Sequence, residues 1–333
     1  MIIGPYKRAT IDIRPHRSVP LHTGEVEMQQ ASMVRVVSLV GSVLLGISAG
    51  AQAPRSPQTV RVTLLGTGSP TLSAERMGPC TLVEAGSEKL LFDAGRGCAI
   101  RLAQARVSWR ELTSVFLTHL HADHTFALSD LFLTGWILGR ADPLDVRGPS
   151  GTKEMMASMI KAIDLDVASR SKSGMRLRQP PTYVTTEIER GVVYERGGMK
   201  VTAFDVPHSI SPAFGYRIDT NGRSIVLSGD TRYSETLIRN AQGVDVLVHE
   251  VVFGAATTEQ LFITNAHTTP EQAAQVFAAS KPKLAIFSHL ILFGGSADDV
   301  VAATQKVYGG RVEMGTDLTV IDVGDTISIR RPK

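Results

Sequence analysis

The sequence predicts a mixed α/β fold in which two β-sheets are covered on their outer sides by helices, all within one domain. Short runs of β-branched and apolar residues recur between residues 60 and 330, and segments with helical spacing separate many of them. The chain shows no repeat of solenoid length and no long linker. Its 333 residues, of which 43% are hydrophobic and 20% charged, are sufficient for one large core or two small ones.

The first half of the domain begins with a predicted strand at residues 60–65, which ends at the turn-forming sequence Gly66-Thr67-Gly68-Ser69-Pro70. Residues 168–181 are basic and end in two prolines, so we expect a mobile loop there, either a solvated connector or a segment that overhangs the site. The other elements predicted in this half are strands at residues 81–84, 89–92, 115–117 and 144–147, and helices at residues 98–106, 125–136 and 152–163.

The second half alternates strands and helices. Pro270 lies at the entry of a predicted helix, and Thr268 or Thr269 is suited to cap that helix. From residue 311 to residue 330 the pattern is mostly strand. The remaining predicted elements are strands at residues 183–188, 192–194, 200–206, 213–218, 224–227, 244–248 and 284–287, and helices at residues 234–240, 270–279 and 297–307.

The N-terminal segment predicts an export signal. Met33-Val34-Arg35 opens a basic and then apolar stretch, which ends at the cleavage-like sequence Ala51-Gln52-Ala53. We therefore expect residues 1–32 to be a mis-assigned extension, residues 33–53 a signal peptide and residues 54–333 the mature domain. An uncleaved anchor is the alternative, although the apolar stretch is short for a membrane span. The expected location is periplasmic or secreted, with no stable membrane span after cleavage.

Net charge bears on the kind of partner the protein binds, and the two cysteines raise the question of a disulfide. Residues 54–333 contain 30 basic and 29 acidic side chains, a net charge of +1, so they lack the bulk basic field of proteins that bind polyanions. An oxidising compartment would permit a disulfide between Cys80 and Cys98. We favour two small buried thiols, because the sequence alone does not bring their α-carbons together.

Histidine is concentrated in segments where chemistry is expected. Three of the nine histidines stand in the loop His119-Leu120-His121-Ala122-Asp123-His124, between a predicted strand and a predicted helix. Such a loop can aim several side chains at one point. Imidazole and carboxylate together suit zinc and other divalent metals. The first two histidines can hold one metal, and the carboxylate and the last histidine can hold a second.

Three further polar side chains follow predicted strands, namely His208, Asp230 and His289. A single histidine after a strand is usually structural, but together with the loop these positions give seven ligands. That number suits two metals that share one carboxylate. Asp230 is the natural bridge, because a carboxylate has two oxygens whereas an imidazole offers one free lone pair.

These motifs resemble the metallo-β-lactamase superfamily, and within it the ribonuclease Z-like branch, which includes arylsulfatase-like and phosphodiesterase-like members. The similarity spans about residues 60–323, nearly the whole mature domain. The histidine loop is its most specific element. The other matching motifs are Leu91-Phe92-Asp93-Ala94-Gly95, Leu64-Leu65-Gly66-Thr67-Gly68-Ser69-Pro70, Ser228-Gly229-Asp230-Thr231, His249-Glu250 and Ala266-His267-Thr268-Thr269.

The resemblance implies an αββα four-layer sandwich in a single domain, with two Zn²⁺ ions between the sheets at one edge. Mn²⁺ or Fe²⁺ are alternative metals, and a homodimer is compatible with the resemblance. In the implied ligand scheme His119, His121 and His208 hold one metal, Asp123, His124 and His289 hold the other, Asp230 bridges both, and Asp93 supports the loop.

The resemblance also implies catalytic roles. Asp123 would orient the attacking water or take its proton, and His267 would donate a proton to the substrate. Glu250 would hold the other nitrogen of His267 and fix its tautomer. A structural role is the alternative for His267, and it is the favoured role for His249.

The expected function is a secreted dinuclear zinc hydrolase of small phosphodiesters or related esters. Ribonuclease Z carries a long arm that holds the tRNA body, and here only residues 219–227 join the two segments that flank it. That absence, with the export signal, argues that a nucleic acid is an unlikely partner and that a small ester is the substrate. The alternatives are an arylsulfatase-like sulfate-ester hydrolase, a ribonuclease Z-type nuclease, a lactonase and a β-lactamase, although Asp230 counts against the last.

Overall fold

The central strands are buried on both faces, and their side chains alternate between the space between two stacked sheets and the outer layers of helices. This computed structural model describes residues 59–172 and 179–332, and within them an eight-stranded and a seven-stranded sheet pack face to face. In the first strand Val60, Val62 and Leu64 face the core between the sheets, whereas Leu65 faces the outer layer of helices. The described residues form a single mixed α/β domain, so the predicted fold class is confirmed.

The eight-stranded sheet has the order β15-β14-β1-β2-β3-β4-β5-β6. Its strands are β1 (Val60–Gly66), β2 (Cys80–Ala85), β3 (Glu88–Phe92), β4 (Ser114–Phe116), β5 (Leu144–Gly148), β6 (Tyr183–Glu187), β14 (Thr319–Val323) and β15 (Ile327–Arg330). Strands β3 to β6 pair in parallel, whereas β1 and β2 pair antiparallel to their neighbours.

The seven-stranded sheet has the order β13-β12-β11-β10-β9-β8-β7. Its strands are β7 (Gly191–Arg196), β8 (Met199–Asp205), β9 (Phe214–Thr220), β10 (Arg223–Leu227), β11 (Val246–Phe253), β12 (Leu284–Leu292) and β13 (Val312–Met314). Strands β10 to β13 are parallel, and β9 turns back to β10 through the tight connection Asn221-Gly222.

Helices cover the outer face of each sheet. They are α1 (Cys98–Gln104), α2 (Ala122–Thr125), α3 (Leu128–Ile137), α4 (Thr152–Lys161), α5 (Asp164–Lys172), α6 (Glu235–Asn240), α7 (Thr258–Thr264), α8 (Pro270–Ser280) and α9 (Ala297–Gln305). One apolar cluster joins α1, α3 and α4 to the first sheet, and another joins α6, α8 and α9 to the second. A third cluster, with Phe92, Phe116 and Tyr216, fills the space between the sheets, which gives the αββα order of layers.

Most predicted elements match the structure to within a few residues, and the exceptions have physical reasons. Residues 168–172, the start of the predicted loop, belong to helix α5 (Asp164–Lys172). The rest of the predicted loop falls partly on residues 173–178, outside the described residues. Helix α7 was not predicted, because all of its side chains are at least partly exposed and no apolar stripe marks it. Thr269, rather than Thr268, caps α8 in a capping box with Gln272.

Cys80 and Cys98 form a disulfide, with α-carbons 5.9 Å apart, so the preference for two thiols is wrong. Strand β2 and the start of α1 bring them together, a proximity that spacing in the sequence does not encode. No helix in the described part of the chain has the length and apolar character needed to cross a membrane. The predicted extension, signal peptide and cleavage site lie outside the described residues.

Candidate metal centre

The seven predicted ligands meet at one edge of the sandwich because the strands before them point the same way. The loop after β4 supplies His119 and His121, and the short helix α2 that follows it supplies Asp123 and His124. His208 follows β8, Asp230 follows β10 and His289 lies in β12, all in the second sheet. Strand β8 runs parallel to β10 because both pair antiparallel with β9, so their carboxyl ends share an edge.

One group consists of His119, His121 and His208. The Nε2 atom of His119 lies 3.0 Å from Nδ1 of His121, and Nε2 of His208 lies 3.3 Å from the same Nδ1. These three nitrogens converge closely enough to hold one metal ion.

The other group consists of Asp123, His124 and His289. The Oδ2 atom of Asp123 lies 3.5 Å from Nε2 of His124 and 3.4 Å from Nε2 of His289. All three side chains are buried. Their donor atoms form a second set suited to a metal ion.

Asp230 lies between the two groups. Its Oδ2 atom is 3.2 Å from Nε2 of His289 and 3.4 Å from Nε2 of His124. The same atom is 3.8 Å from Nε2 of His119 and 3.9 Å from Nε2 of His208. One buried carboxylate therefore faces donors of both groups, which is the arrangement a bridging ligand requires.

Hydrogen bonds at the far nitrogens fix three of the imidazole tautomers. Nδ1 of His208 donates to the carbonyl oxygen of Ala266 at 3.0 Å. Nδ1 of His119 lies 3.0 Å from the hydroxyl of Thr118, and Nδ1 of His124 lies 2.8 Å from the Asp93 carboxylate. In the neutral form of each ring, the bond places the proton on Nδ1 and leaves the lone pair of Nε2 directed into the site.

Asp93 organises the loop from beneath. Its Oδ1 accepts a hydrogen bond from the backbone N–H of Thr118 at 2.8 Å, and its carboxylate also accepts the Thr118 hydroxyl. Because that hydroxyl has only one proton, it accepts from His119 in turn. Asp93 was predicted from the sequence, whereas the role of Thr118 was not, because a polar residue at the end of a buried strand was its only signal.

His267 and Glu250 lie beside the two groups. Nδ1 of His267 is 3.3 Å from Oε2 of Glu250, and His267 and Glu250 are only 8% and 2% exposed. The other oxygen of Glu250 accepts the backbone N–H groups of Thr268 and Thr231 at 2.8 Å and 3.4 Å. Glu250 is therefore fixed by the backbone and presents its free oxygen to His267.

His249 lies apart from the seven ligands. Its Nδ1 donates to the carbonyl oxygen of Glu250, and its ring meets the edge of Phe277 in the core. This placement is consistent with the structural role expected for it.

The protonation of the site follows from burial and charge. Burial lowers the pKa of His119, His121 and His208, so these rings favour the neutral, metal-binding form. Burial also disfavours charge on His124, but the Asp230 and Asp93 carboxylates outweigh it and raise the pKa of His124 well above its ordinary value. A cation entering the second group would therefore displace a proton.

The donor set fits divalent metal ions. Four tetrahedral ligands at the zinc–nitrogen distance of about 2.0–2.1 Å lie roughly 3.3–3.4 Å from one another. The donors around His124 and His289 are separated by 3.2–3.5 Å. The Nε2 atom of His124 is buried and has no hydrogen-bond partner among the described residues, so a cation would satisfy it.

Comparison with known proteins identifies the family. The model of the beta-lactamase superfamily domain matches residues 88–290. The chain belongs to the beta-lactamase superfamily. It is also 35% identical over 275 residues to a protein of Mycobacterium marinum named Ribonuclease Z, covering 79% of this chain and 99% of that protein. A Ribonuclease Z of Mycolicibacterium gilvum is likewise 35% identical over 275 residues, covering 79% of this chain and 96% of that protein.

Solved structures of the superfamily share the fold. A metallo-beta-lactamase fold protein of Bacillus subtilis superposes with a TM-score of 0.64 at 19% identity, covering 80% of this chain and 100% of that chain. The short form of human tRNase Z superposes with a TM-score of 0.61 at 22% identity, covering 79% of this chain and 99% of that chain. Membership of the superfamily and homology to Ribonuclease Z identify a metal-dependent hydrolase.

The relatives overturn two expectations. A hydrolase of small esters and a nucleic acid as an unlikely partner were both wrong predictions, because homologues at 35% identity are named Ribonuclease Z. The short connection at residues 219–227, where a tRNA-binding arm was expected in a ribonuclease Z, was the reason for predicting a small ester as the substrate. The 275 aligned positions include nearly all of the M. marinum protein, so that Ribonuclease Z has no large segment that this chain lacks. The net charge of +1 was also a poor guide to the substrate, because an average over residues 54–333 does not describe the electrostatic potential around the candidate site.

Proposed function

We propose that this protein is a dinuclear zinc ribonuclease that hydrolyses a phosphodiester bond in RNA. The observation that carries the proposal is the position of Asp230 between two complete ligand groups, in a chain 35% identical to Ribonuclease Z over most of its length. A bridged pair of divalent ions suits phosphoryl transfer, because both the attacking and the departing oxygens of the phosphate carry charge.

The ligand assignment follows the two groups. His119, His121 and His208 would hold one zinc ion, Asp123, His124 and His289 would hold the second, and Asp230 would join both. When bound, the two ions supply Lewis acidity, which activates water for attack on phosphorus and neutralises charge on the phosphate oxygens.

The protein's own side chains handle the protons. Asp123 faces the site with one carboxylate oxygen and is suited to orient the attacking water or accept its proton. When the P–O bond breaks, His267 would give its proton to the departing oxygen. Burial opposes the charged form of His267, but the nearby Glu250 carboxylate outweighs it and raises the pKa of His267 to about 9, so the proton is available at neutral pH.

The test uses residues 54–333 loaded with zinc and two RNA substrates, a precursor tRNA with a 3′ extension and an unstructured RNA of equal length. DNA of the same sequence and the Asp230→Ala variant are the controls. We expect RNA cleavage that depends on zinc, and we expect the variant to lose both the metals and the activity because it lacks the bridge. A wild-type protein that carries two zinc ions but leaves every RNA intact would contradict the proposal.

A further inference from the structure

We propose that Asp317 is a positioning residue for His289, although Asp317 lies outside the ligand groups. It stands in the turn between β13 and β14 and is 5% exposed. The inference rests on the proposed function only in taking His289 as a metal ligand. It concerns how the fold holds that ligand in place.

The Asp317 carboxylate collects hydrogen bonds from three segments near the site. Its Oδ1 accepts from the backbone N–H of Thr67 at 2.9 Å and from the Thr67 hydroxyl at 2.8 Å. Its Oδ2 accepts from the backbone N–H of Met77 at 2.8 Å and from Nε of Arg101 at 2.9 Å. A buried carboxylate with four donors, one of them charged, is a rigid anchor for the loop that follows β1.

Thr67, which Asp317 holds in place, also makes a hydrogen bond to the second sheet. Its carbonyl oxygen accepts a hydrogen bond from the backbone N–H of Leu290 at 3.0 Å. Thr67 follows β1 in the first sheet, whereas Leu290 belongs to β12 in the second. The bond therefore ties the two sheets together at the residue next to His289.

His289 lies in an irregularity of β12 that needs such a tie. His249 pairs with Phe287 and Val251 pairs with Leu290, so Glu250 alone faces two residues, Ser288 and His289. His289 adopts a φ of 43°, in the left-handed region that a residue with a Cβ atom rarely occupies. A bulge of this kind turns a side chain out of the regular alternation, here toward the ligand group, at some cost in backbone strain.

The Nδ1 atom of His289 lacks the hydrogen-bond support that three of the other imidazoles have. The Nδ1 atoms of His119, His124 and His208 each have a hydrogen-bond partner on the protein. The buried Nδ1 of His289 has none among residues 59–172 and 179–332. The ring stacks on His124 and His267, and its Nε2 lies 3.4 Å from Asp123, but nothing in these described residues holds it from the Nδ1 side. On that side its direction depends on the backbone, and the bond from Leu290 to Thr67, anchored by Asp317, holds that backbone.

The experiment compares Asp317→Asn and Thr67→Val with Asp322→Asn as a matched control. Asp322 is also on the first sheet and pairs with Arg61 and Arg330, but Arg61 lies at the start of β1, away from the site. Zn²⁺ is titrated into each metal-free protein in competition with a chelating dye. We expect Asp317→Asn to weaken one of the two zinc sites by about 10–100-fold while the other changes little, as is typical when support behind a ligand is lost.

A second measurement tests the hydrogen bond from the Leu290 N–H to the Thr67 carbonyl oxygen directly. Amide hydrogen exchange at Leu290 in the metal-free proteins should be faster in Asp317→Asn and in Thr67→Val than in the wild type, and unchanged in Asp322→Asn. Thr67→Val removes the hydroxyl that donates to Asp317 and accepts from Arg76. It keeps the pairing of Asp317 with Arg101 and the bond of Arg76 to the Gly315 carbonyl oxygen, so it should fold even if Asp317→Asn does not. Its smaller loss of zinc affinity should fall on the same site.

Two outcomes would overturn the inference. Equal losses of zinc affinity in Asp317→Asn and Asp322→Asn would assign the effect to general destabilisation. Unchanged zinc affinity at both sites in folded Asp317→Asn or Thr67→Val would show that His289 needs no such support. Neither measurement uses RNA, so a failure of the proposed ribonuclease activity would be seen separately in the wild-type protein.

Discussion

The Asp93 carboxylate lies 2.8 Å from Nδ1 of His124, on the side of the ring opposite Asp230, whose Oδ2 lies 3.4 Å from Nε2. The imidazole is therefore held between two carboxylates, one behind it and one within the site. Asp93 has a φ of 61° at the end of β3, a backbone conformation that aspartate tolerates better than most residues. The conformation of one turn thus sets the direction of a proposed metal ligand.

Replacing Asp93 with asparagine should weaken metal binding by about 10–100-fold, because the amide presents only one acceptor to His124 and Thr118. Equilibrium titration with zinc measures the change. Asp219→Asn is the control, since Asp219 pairs with Arg217 at the β9 end near Asn221-Gly222. Equal zinc affinity in Asp93→Asn and wild type would show that Asp93 does not orient His124.

His267→Ala should lower the rate of RNA cleavage by about 10²–10³-fold while leaving both zinc ions bound, since it removes one positioned proton donor. The loss should shrink for synthetic phosphodiesters with acidic leaving groups, which need little protonation. His249→Gln serves as a comparison, because His249 packs against Phe277 and should affect stability instead. A uniform loss across leaving groups in His267→Ala would indicate a structural role for His267.

Removing the disulfide by a Cys80→Ser, Cys98→Ser double substitution should lower the free energy of unfolding by about 3 kcal/mol, the loop-closure value for cysteines separated by 18 positions. Urea denaturation without reductant measures the difference. Reductant should destabilise the wild type to the same extent and leave the variant unaffected. Two titratable thiols in the unreduced wild type would contradict the pairing.

The mature protein should begin near Pro54, because Ala51-Gln52-Ala53 has the form of a signal-peptidase site. The measurement is the intact mass of protein produced from the full gene in a bacterium with an export pathway. A Gln52→Pro, Ala53→Pro variant, in which cleavage should fail, provides the control. A mass that retains residues 1–32 would refute both the export signal and the mis-assigned start.

The sequence predicted the parts of the fold that periodicity encodes. A β-branched and apolar run that stops at a turn predicted β1, and a capping threonine followed by Pro270 predicted the start of α8. Helix α7 has no apolar stripe, since its side chains are all at least partly exposed and only the Thr257 capping box marks its start. The bulge at His289 was also invisible, because a positive φ at a residue other than glycine has no signature in composition.

The candidate site shows the same division. The residues named beforehand lie together at one edge. Several of them follow a strand that ends there, as predicted, whereas His289 lies within the longer strand β12 and His267 follows α7. Their supports were missed, because the Ala266 carbonyl and the Thr67 carbonyl are backbone atoms that any residue type could supply. The substrate class was predicted wrongly because the lack of an arm was taken to exclude RNA, and chain length alone does not decide that question.

The proposed ligands come from both sheets, and this links zinc supply to the stability and abundance of the folded protein in the cell. Each proposed zinc ion would take ligands from the segment after β4 in one sheet and from β8, β10 or β12 in the other. A bound ion would therefore link the two sheets. An ion that binds only the folded chain adds about 2.7 kcal/mol at a free concentration of 100 times its dissociation constant. Zinc scarcity would therefore reduce the abundance of the enzyme, through unfolding and proteolysis, as well as its activity.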